Sequence, residues 1–172
     1  LIEDMQTFSG NLVSNGDFSQ EGSELVTNGD FSTDSDWSKS GSVEISNGSA
    51  NFDIVDGGFT RISQAISLIN GKTYKLTLQI FGDDSGKSIY VRDTATGDDG
   101  NLQEFITLVE GTTNYTFYFT ANANSNAVYV KRQSSGNYEF SIDNVSIKEV
   151  GQDWTLGASW SIGNNKATRL TS

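Results

Sequence analysis

"NGKTYKLTLQIFG", residues 70–82, puts Tyr74, Leu76, Leu78 and Ile80 on one parity and Lys75, Thr77, Gln79 and Phe81 on the other. A period of two is that of a strand with one buried face, and the Asn70-Gly71 pair just before it is a turn signal. The same grammar continues in both directions. It predicts strands at 42–46, 49–55, 60–68 and 73–81, then 87–93, 102–108, 113–120, 126–132 and 138–148. Asn47-Gly48, Asp56-Gly57-Gly58, Ser85-Gly86, Asp99-Gly100, Glu110-Gly111 and Ser135-Gly136 punctuate them. Short strands at this spacing, with no window of helical periodicity, predict an all-β chain folded as a two-sheet antiparallel β-sandwich of jelly-roll type.

Alternation also assigns faces. Tyr74, Leu76, Leu78 and Ile80 are expected inside, with Tyr115, Phe117, Phe119, Val128 and Val130. The opposite parity then directs Tyr90, Arg92, Thr116, Tyr118, Tyr129 and Lys131 outward, where tyrosines are expected to be exposed.

Composition narrows the function classes. With 172 residues, 35% hydrophobic and 11% aromatic, the chain is long enough to bury a core. The net charge of −11 repels a polyanion, so a nucleic-acid partner is not expected. No stretch approaches the length of a membrane-spanning helix, and no membrane insertion is expected. With no cysteine there is no disulfide, thiolate zinc site or cysteine nucleophile; with no histidine the commonest general base is gone. The carboxylates are scattered over turns and outward positions rather than paired, so the chain is expected not to be an enzyme.

Two internal repeats organise the chain. Seven of the nine positions in "NLVSNGDFS" (11–19) recur 13 residues later in "ELVTNGDFS" (24–32). "SDWSKSGSVEISNGSA" (35–50) returns without a gap as "QDWTLGASWSIGNNKA" (152–167), an offset of 117. The expected division is an N-terminal extension or linker with a duplicated module-start strand (1–23), one complete module (24–150) and the opening of a second, incomplete repeat (151–172). Trp37 and Trp154 fall at equivalent repeat positions and are expected to be structural anchors.

Three blocks in order, "ELVTNGDFSTDSDW" (24–37), "LINGKTYKLTLQIF" (68–81) and "YEFSIDNVSIKEV" (138–150), resemble the carbohydrate-binding modules of families four, nine and twenty-two. The chain departs from that pattern at Ser32, where an acidic residue is common, and has no tryptophan between Trp37 and Trp154. The resemblance implies a β-sandwich jelly roll. It also implies a structural calcium, with Asp143 at a position where the family often places a ligand. The run Asn28, Asp30, Asp34 and Asp36 supplies oxygen donors nearby, the alternative being that Asn28-Gly29-Asp30 is only a turn and Asp34 and Asp36 are solvated. An ion of that kind, which takes six to eight oxygens, would pin the first strand to the last.

For glycan recognition, aromatic rings stack on the apolar faces of pyranoses, and amides and guanidinium groups reach the hydroxyls. The expected platform is Tyr90, Arg92, Tyr118, Tyr129 and Lys131, with Gln79 and Gln103 as hydrogen-bonding neighbours. The expected role is attachment to an extracellular or cell-surface glycan, within a tandem-repeat extracellular or virion surface protein. A structural virion or filament module is the alternative, partnered by copies of itself or neighbouring subunits through exchange of residues 12–19 for 25–32. A third reading is the ancillary module of a secreted glycoside hydrolase.

Overall fold

The computed structural model describes residues 20–55, 59–82, 86–95, 99–151, 154, 160–163 and 166–169. Every named strand pair is antiparallel, and there is no helix among the described residues.

The strands are β1 (Glu21–Glu24), β2 (Ser38–Ser40), β3 (Val43–Ser46), β4 (Ser49–Ile54), β5 (Arg61–Ala65) and β6 (Thr73–Gly82). There follow β7 (Ser88–Arg92), β8 (Gln103–Thr107), β9 (Gly111–Thr120), β10 (Ala127–Arg132), β11 (Tyr138–Val150), β12 (Trp160–Gly163) and β13 (Lys166–Arg169). One sheet runs β3-β4-β11-β6-β9 with β1 added on β11, the other β2-β5-β10-β7-β8. The molecule is therefore an all-β, two-sheet antiparallel sandwich, as the alternation predicts.

The opening segment behaves as its pattern requires. Tyr74, Leu76, Leu78 and Ile80 are buried, in one core with Ile45, Phe52, Phe140 and Ile142 from the same sheet and Ile62, Ile89, Val91, Val128 and Val130 from the facing one. Phe52 stacks on Phe140 at 4.1 Å between centroids. The two fully buried tyrosines find partners for their hydroxyls: Tyr74 accepts from the Ile69 amide, and Tyr138 donates to the Ser88 carbonyl. A buried hydroxyl without such a bond would be costly. Trp37 is buried too, 5.0 Å from Phe31, with its indole N–H donated to the Asn28 carbonyl.

β11 is the longest strand and is paired differently along its length. Its first half meets β4 and its last residues meet β1, both along the same side, with β6 on the other. Between the halves the ladder to β6 shifts register around Asp143 and Ser146, and Asn144 takes a left-handed φ of 51°. There the 25–29 segment closes the gap: Val145 donates to the Gly29 carbonyl at 2.9 Å and Leu25 to the Ile147 carbonyl at 3.0 Å. The start of the module is thus fastened to its last strand by backbone hydrogen bonds.

The repeat at offset 117 has a structural counterpart. β3 and β4 form a hairpin through Asn47 and Gly48, both at positive φ as a type I′ turn demands, with Ser46 opposite Ser49. Adding 117 to those positions gives β12 and β13, which pair in the same register, Gly163 opposite Lys166. β4 continues the sheet by pairing with β11, whereas β13 pairs with β12 alone among the described residues. Trp154 and Trp160 are exposed there, so Trp154 does not share the buried environment of Trp37. The duplicated stretch 11–19 lies outside the described residues.

Candidate functional site

The outward face of the five-stranded sheet follows from its ladder. Ile62, Ile89, Val91, Ile106, Val128 and Val130 enter the core, so the alternate residues point away from it. Cross-strand register orders most of these residues in two central rows, with Ala65–Ala127 and Ser88–Thr107 as uncharged pairs beyond them. The first is Ser38, Ser63, Tyr129, Arg92 and Gln103; the second is Ser40, Arg61, Lys131, Tyr90 and Phe105. Phe59, just before β5, joins the second row through Arg61, whose guanidinium carbon lies 5.8 Å from its ring centre.

Four of the five expected platform residues therefore share a face: Tyr90, Arg92, Tyr129 and Lys131. Tyr118 does not. It lies on β9 in the other sheet, opposite Lys75 of β6. Gln79 is also on the six-stranded sheet, donating to Asn114 at 3.0 Å, while Gln103 is on the platform and accepts the Tyr90 hydroxyl at 2.8 Å. Alternation names the side of a strand that faces away from the core. It does not name the sheet to which the strand belongs, and that is why Tyr118 and Gln79 are separated from the rest.

The expectation of exposed tyrosines is corrected as well. Tyr90 is 3% exposed and Tyr129 6%. Neighbouring outward residues, from the same row and the adjacent one, fold their side chains over the rings. The Arg92 guanidinium carbon sits 3.9 Å from the Tyr90 centroid and Lys131 Nζ 5.3 Å, with the Phe105 ring 4.2 Å away. Arg61 lies 5.6 Å from the Tyr129 centroid. Burial pushes the Tyr129 phenol above its ordinary range, with Arg61 and Arg92 pulling it back, and it remains a neutral hydroxyl at physiological pH. Three residues belong to the face that sequence reasoning did not single out: Arg61, Phe59 and Phe105. For Phe105 a signal existed, since Ile106 takes the core parity in "LQEFITL" and leaves a large aromatic on the outside. Phe105 is 61% exposed and Phe59 58%.

The six-stranded sheet presents a different surface. Glu44, Asn51, Ser141 and Phe81 form one outward row there, and Asp53 with Glu139, and Asp143 with Gln79, flank it. Asn47, Gly48, Ser49, Phe81, Ser141 and Asp143 line a shallow depression of about 310 Å³ on this side.

The oxygen donors expected to hold calcium are occupied by one another's neighbours. The Asn28 amide donates to the carbonyls of Thr33 and Ser35 and its oxygen accepts from the Thr33 amide, which closes the 28–35 loop. Asp30 accepts from the Ser32 amide, and both oxygens of Asp143 accept from Asn144. No group of three or more His, Cys, Asp or Glu side chains is arranged to hold a metal among the described residues. As placed, this donor set does not fit a six- to eight-oxygen calcium shell.

No protein-family model matches the chain, and no curated protein sequence matches it. Solved structures do. A family-four carbohydrate-binding module (CBM4) superposes with a TM-score of 0.57 at 13% identity, over 66% of this chain and 94% of that one. TmCBM61, a family-61 module solved with β-1,4-galactotriose, gives 0.54 at 16% identity over 73% of this chain and 97% of its own. The enzymatically active domain of tailspike protein 4 from bacteriophage CBA120 also gives 0.54 at 16% identity, over 73% of this chain but only 21% of the tailspike. At these identities the likeness is one of fold: the chain has the β-sandwich fold of carbohydrate-binding modules.

Proposed function

We propose that this chain is a non-catalytic glycan-binding module whose ligand lies on the outer face of the five-stranded sheet. The observation that carries the reading is the clustering on that one face of Phe59, Arg61, Tyr90, Arg92, Gln103, Phe105 and Lys131. Exposed rings offer stacking surfaces to sugar C–H faces, and guanidinium, ammonium and amide groups offer donors to ring and hydroxyl oxygens. The fold shared with carbohydrate-binding modules supports it, since that fold presents such a face on a rigid ladder. The setting we propose is an extracellular or surface protein built from tandem modules; the matched hairpins β3–β4 and β12–β13 support the repeat.

A glycan array probed with the full chain tests the reading. Binding to a defined saccharide, lost in Phe105→Ala and kept in Phe81→Ala on the opposite sheet, is the expected result. A folded chain that binds no saccharide, or that binds equally well without Phe105, would contradict it.

A further inference from the structure

We infer that the saccharide held by this face is acidic, carrying carboxylate or sulfate groups along the chain of sugars; the inference rests on the glycan-binding reading above. The two outward rows contain ten residues, of which three, Arg61, Arg92 and Lys131, are cationic and none is acidic. Composition does not supply this excess, because the chain as a whole carries −11 with 11 basic against 22 acidic residues. Nor is it a property of both sheets: the outward face of the six-stranded sheet holds Glu44, Asp53, Glu139 and Asp143 around Asn51, Ser141 and Gln79, and its cations Lys75 and Lys148 are paired with Glu21. In a molecule of this net charge, three cations gathered on one face are a local departure from the overall balance and the place where an anion meets least repulsion.

The packing of the rings points the same way. A platform for neutral pyranoses needs open aromatic faces, and Tyr90 and Tyr129 do not have them: at 3% and 6% exposure they lie beneath the cations. They serve as a base on which Arg92, Lys131 and Arg61 rest, at 3.9, 5.3 and 5.6 Å from the ring centres. A cation over a ring gains attraction from the ring quadrupole, and a guanidinium lying against it is restricted in rotation. The planar edge of a stacked guanidinium is the fork that a carboxylate or sulfate accepts from with two oxygens.

The open rings are at the margins. Phe59 precedes β5 and Phe105 is on β8, with β10 and β7 between those strands. Three interstrand steps separate β5 from β8, roughly 14 Å, and Lys131 and Tyr90 lie between Arg61 and Phe105 in the same row. An oligosaccharide crossing the strands would stack sugars on the two phenylalanines and set its charged groups over the cations between them.

Affinity electrophoresis of the full chain separates the cases, using native gels cast with polygalacturonate, with heparin, or with neutral galactan. The expected result is retardation in one acidic gel, the polymer identifying carboxylate or sulfate as the recognised group. That retardation should fall steeply as salt rises from about 0.05 to about 0.5 M, across which the screening length shortens severalfold. Arg61→Gln and Lys131→Gln should each weaken binding about tenfold, the loss of one charge-assisted hydrogen bond. Glu44→Gln, on the far sheet, should leave it unchanged. Retardation only in galactan, insensitive to salt and lost in Phe105→Ala, would overturn the acidic ligand while leaving a glycan-binding face. Acidic retardation unchanged in both charge variants would also overturn it, as diffuse charge attraction. No retardation in any gel would overturn both.

Discussion

The two sheets share one core and turn opposite surfaces to solvent. The five-stranded sheet carries its cations on top of its aromatic rings, Arg92 and Lys131 over Tyr90 and Arg61 over Tyr129. The six-stranded sheet carries carboxylates, amides and hydroxyls, with Lys75 and Lys148 paired to Glu21 and Tyr118 and Phe81 half-buried among them. Inward residues are dictated by packing and are interchangeable in kind between the sheets; the outward rows are where the two differ. The core constrains the outer surfaces less than the inner ones, so the surface on which distinctive chemistry gathers is where the proposed ligand face is sought.

The largest break in that contrast comes from removing a ring under the cations. Tyr90→Ala deletes a buried aromatic in contact with Phe105, Arg92 and Lys131, and should cost about 3 kcal/mol. Tyr118→Ala, on the other sheet, should cost about 1 kcal/mol or less. Denaturant unfolding measures both; equal losses would mean that the two outer faces are packed alike. Tyr90→Phe is subtler. It keeps the ring but removes the hydroxyl that donates to Gln103 at 2.8 Å, for an expected loss of about 1 kcal/mol with the ring stack intact.

The third prediction belongs to the six-stranded side. Glu21 of β1 accepts from Lys75 of β6 at 2.5 Å and from Lys148 of β11 at 3.0 Å, and these bonds, Lys75 first, hold its carboxyl below the ordinary value of 4.5. A depressed carboxylate contributes stability that is full above that ordinary value and is lost as pH falls through the folded one. Wild type should therefore lose a few tenths of a kcal/mol more than Glu21→Gln on acidification below about 4.5, the scale of a solvent-exposed pair. Parallel pH profiles would remove this pair from the account of how β1 is held. The smallest expected effect is none at all. Because backbone hydrogen bonds from Val145 and Leu25 fasten the module's start to β11, chelator should leave the melting temperature unchanged, and a marked drop would establish a metal at the Asn28–Asp30–Asp143 end.

Much of the fold was legible because alternation and turn chemistry are local. The nine strands expected between 42 and 148 all form, within a few residues at each end, whereas the module-start strand expected at 25–32 does not: that stretch is turns and bends fastened beside β11. Alternation does not predict β1 and β2, since "EGSE" and "SKS" have no apolar period and owe their conformation to β11 and β5. For the site, parity placed Tyr90, Arg92, Tyr129 and Lys131 on the outside correctly. It does not say that β9 joins the other sheet, and so it groups Tyr118 with residues that Tyr118 does not meet. Nor could it reveal that Arg61, Arg92 and Lys131 lie over the rings. Arg92 reaches Tyr90 from two residues along the same strand, but Lys131 and Arg61 reach the rings from neighbouring strands, a property of register that a single strand's sequence does not contain.

The central claim is that the outer face of the five-stranded sheet is the ligand face, and amide chemical-shift mapping tests it most directly. The full chain would be titrated with the saccharide that retards it most strongly in the gels. Perturbations centred on Arg61, Arg92, Gln103, Phe105 and Lys131, with Asn51, Gln79, Tyr118 and Asp143 unmoved, are predicted. Perturbations centred on the six-stranded side, around Asn51, Ser141 and Asp143, would contradict the account.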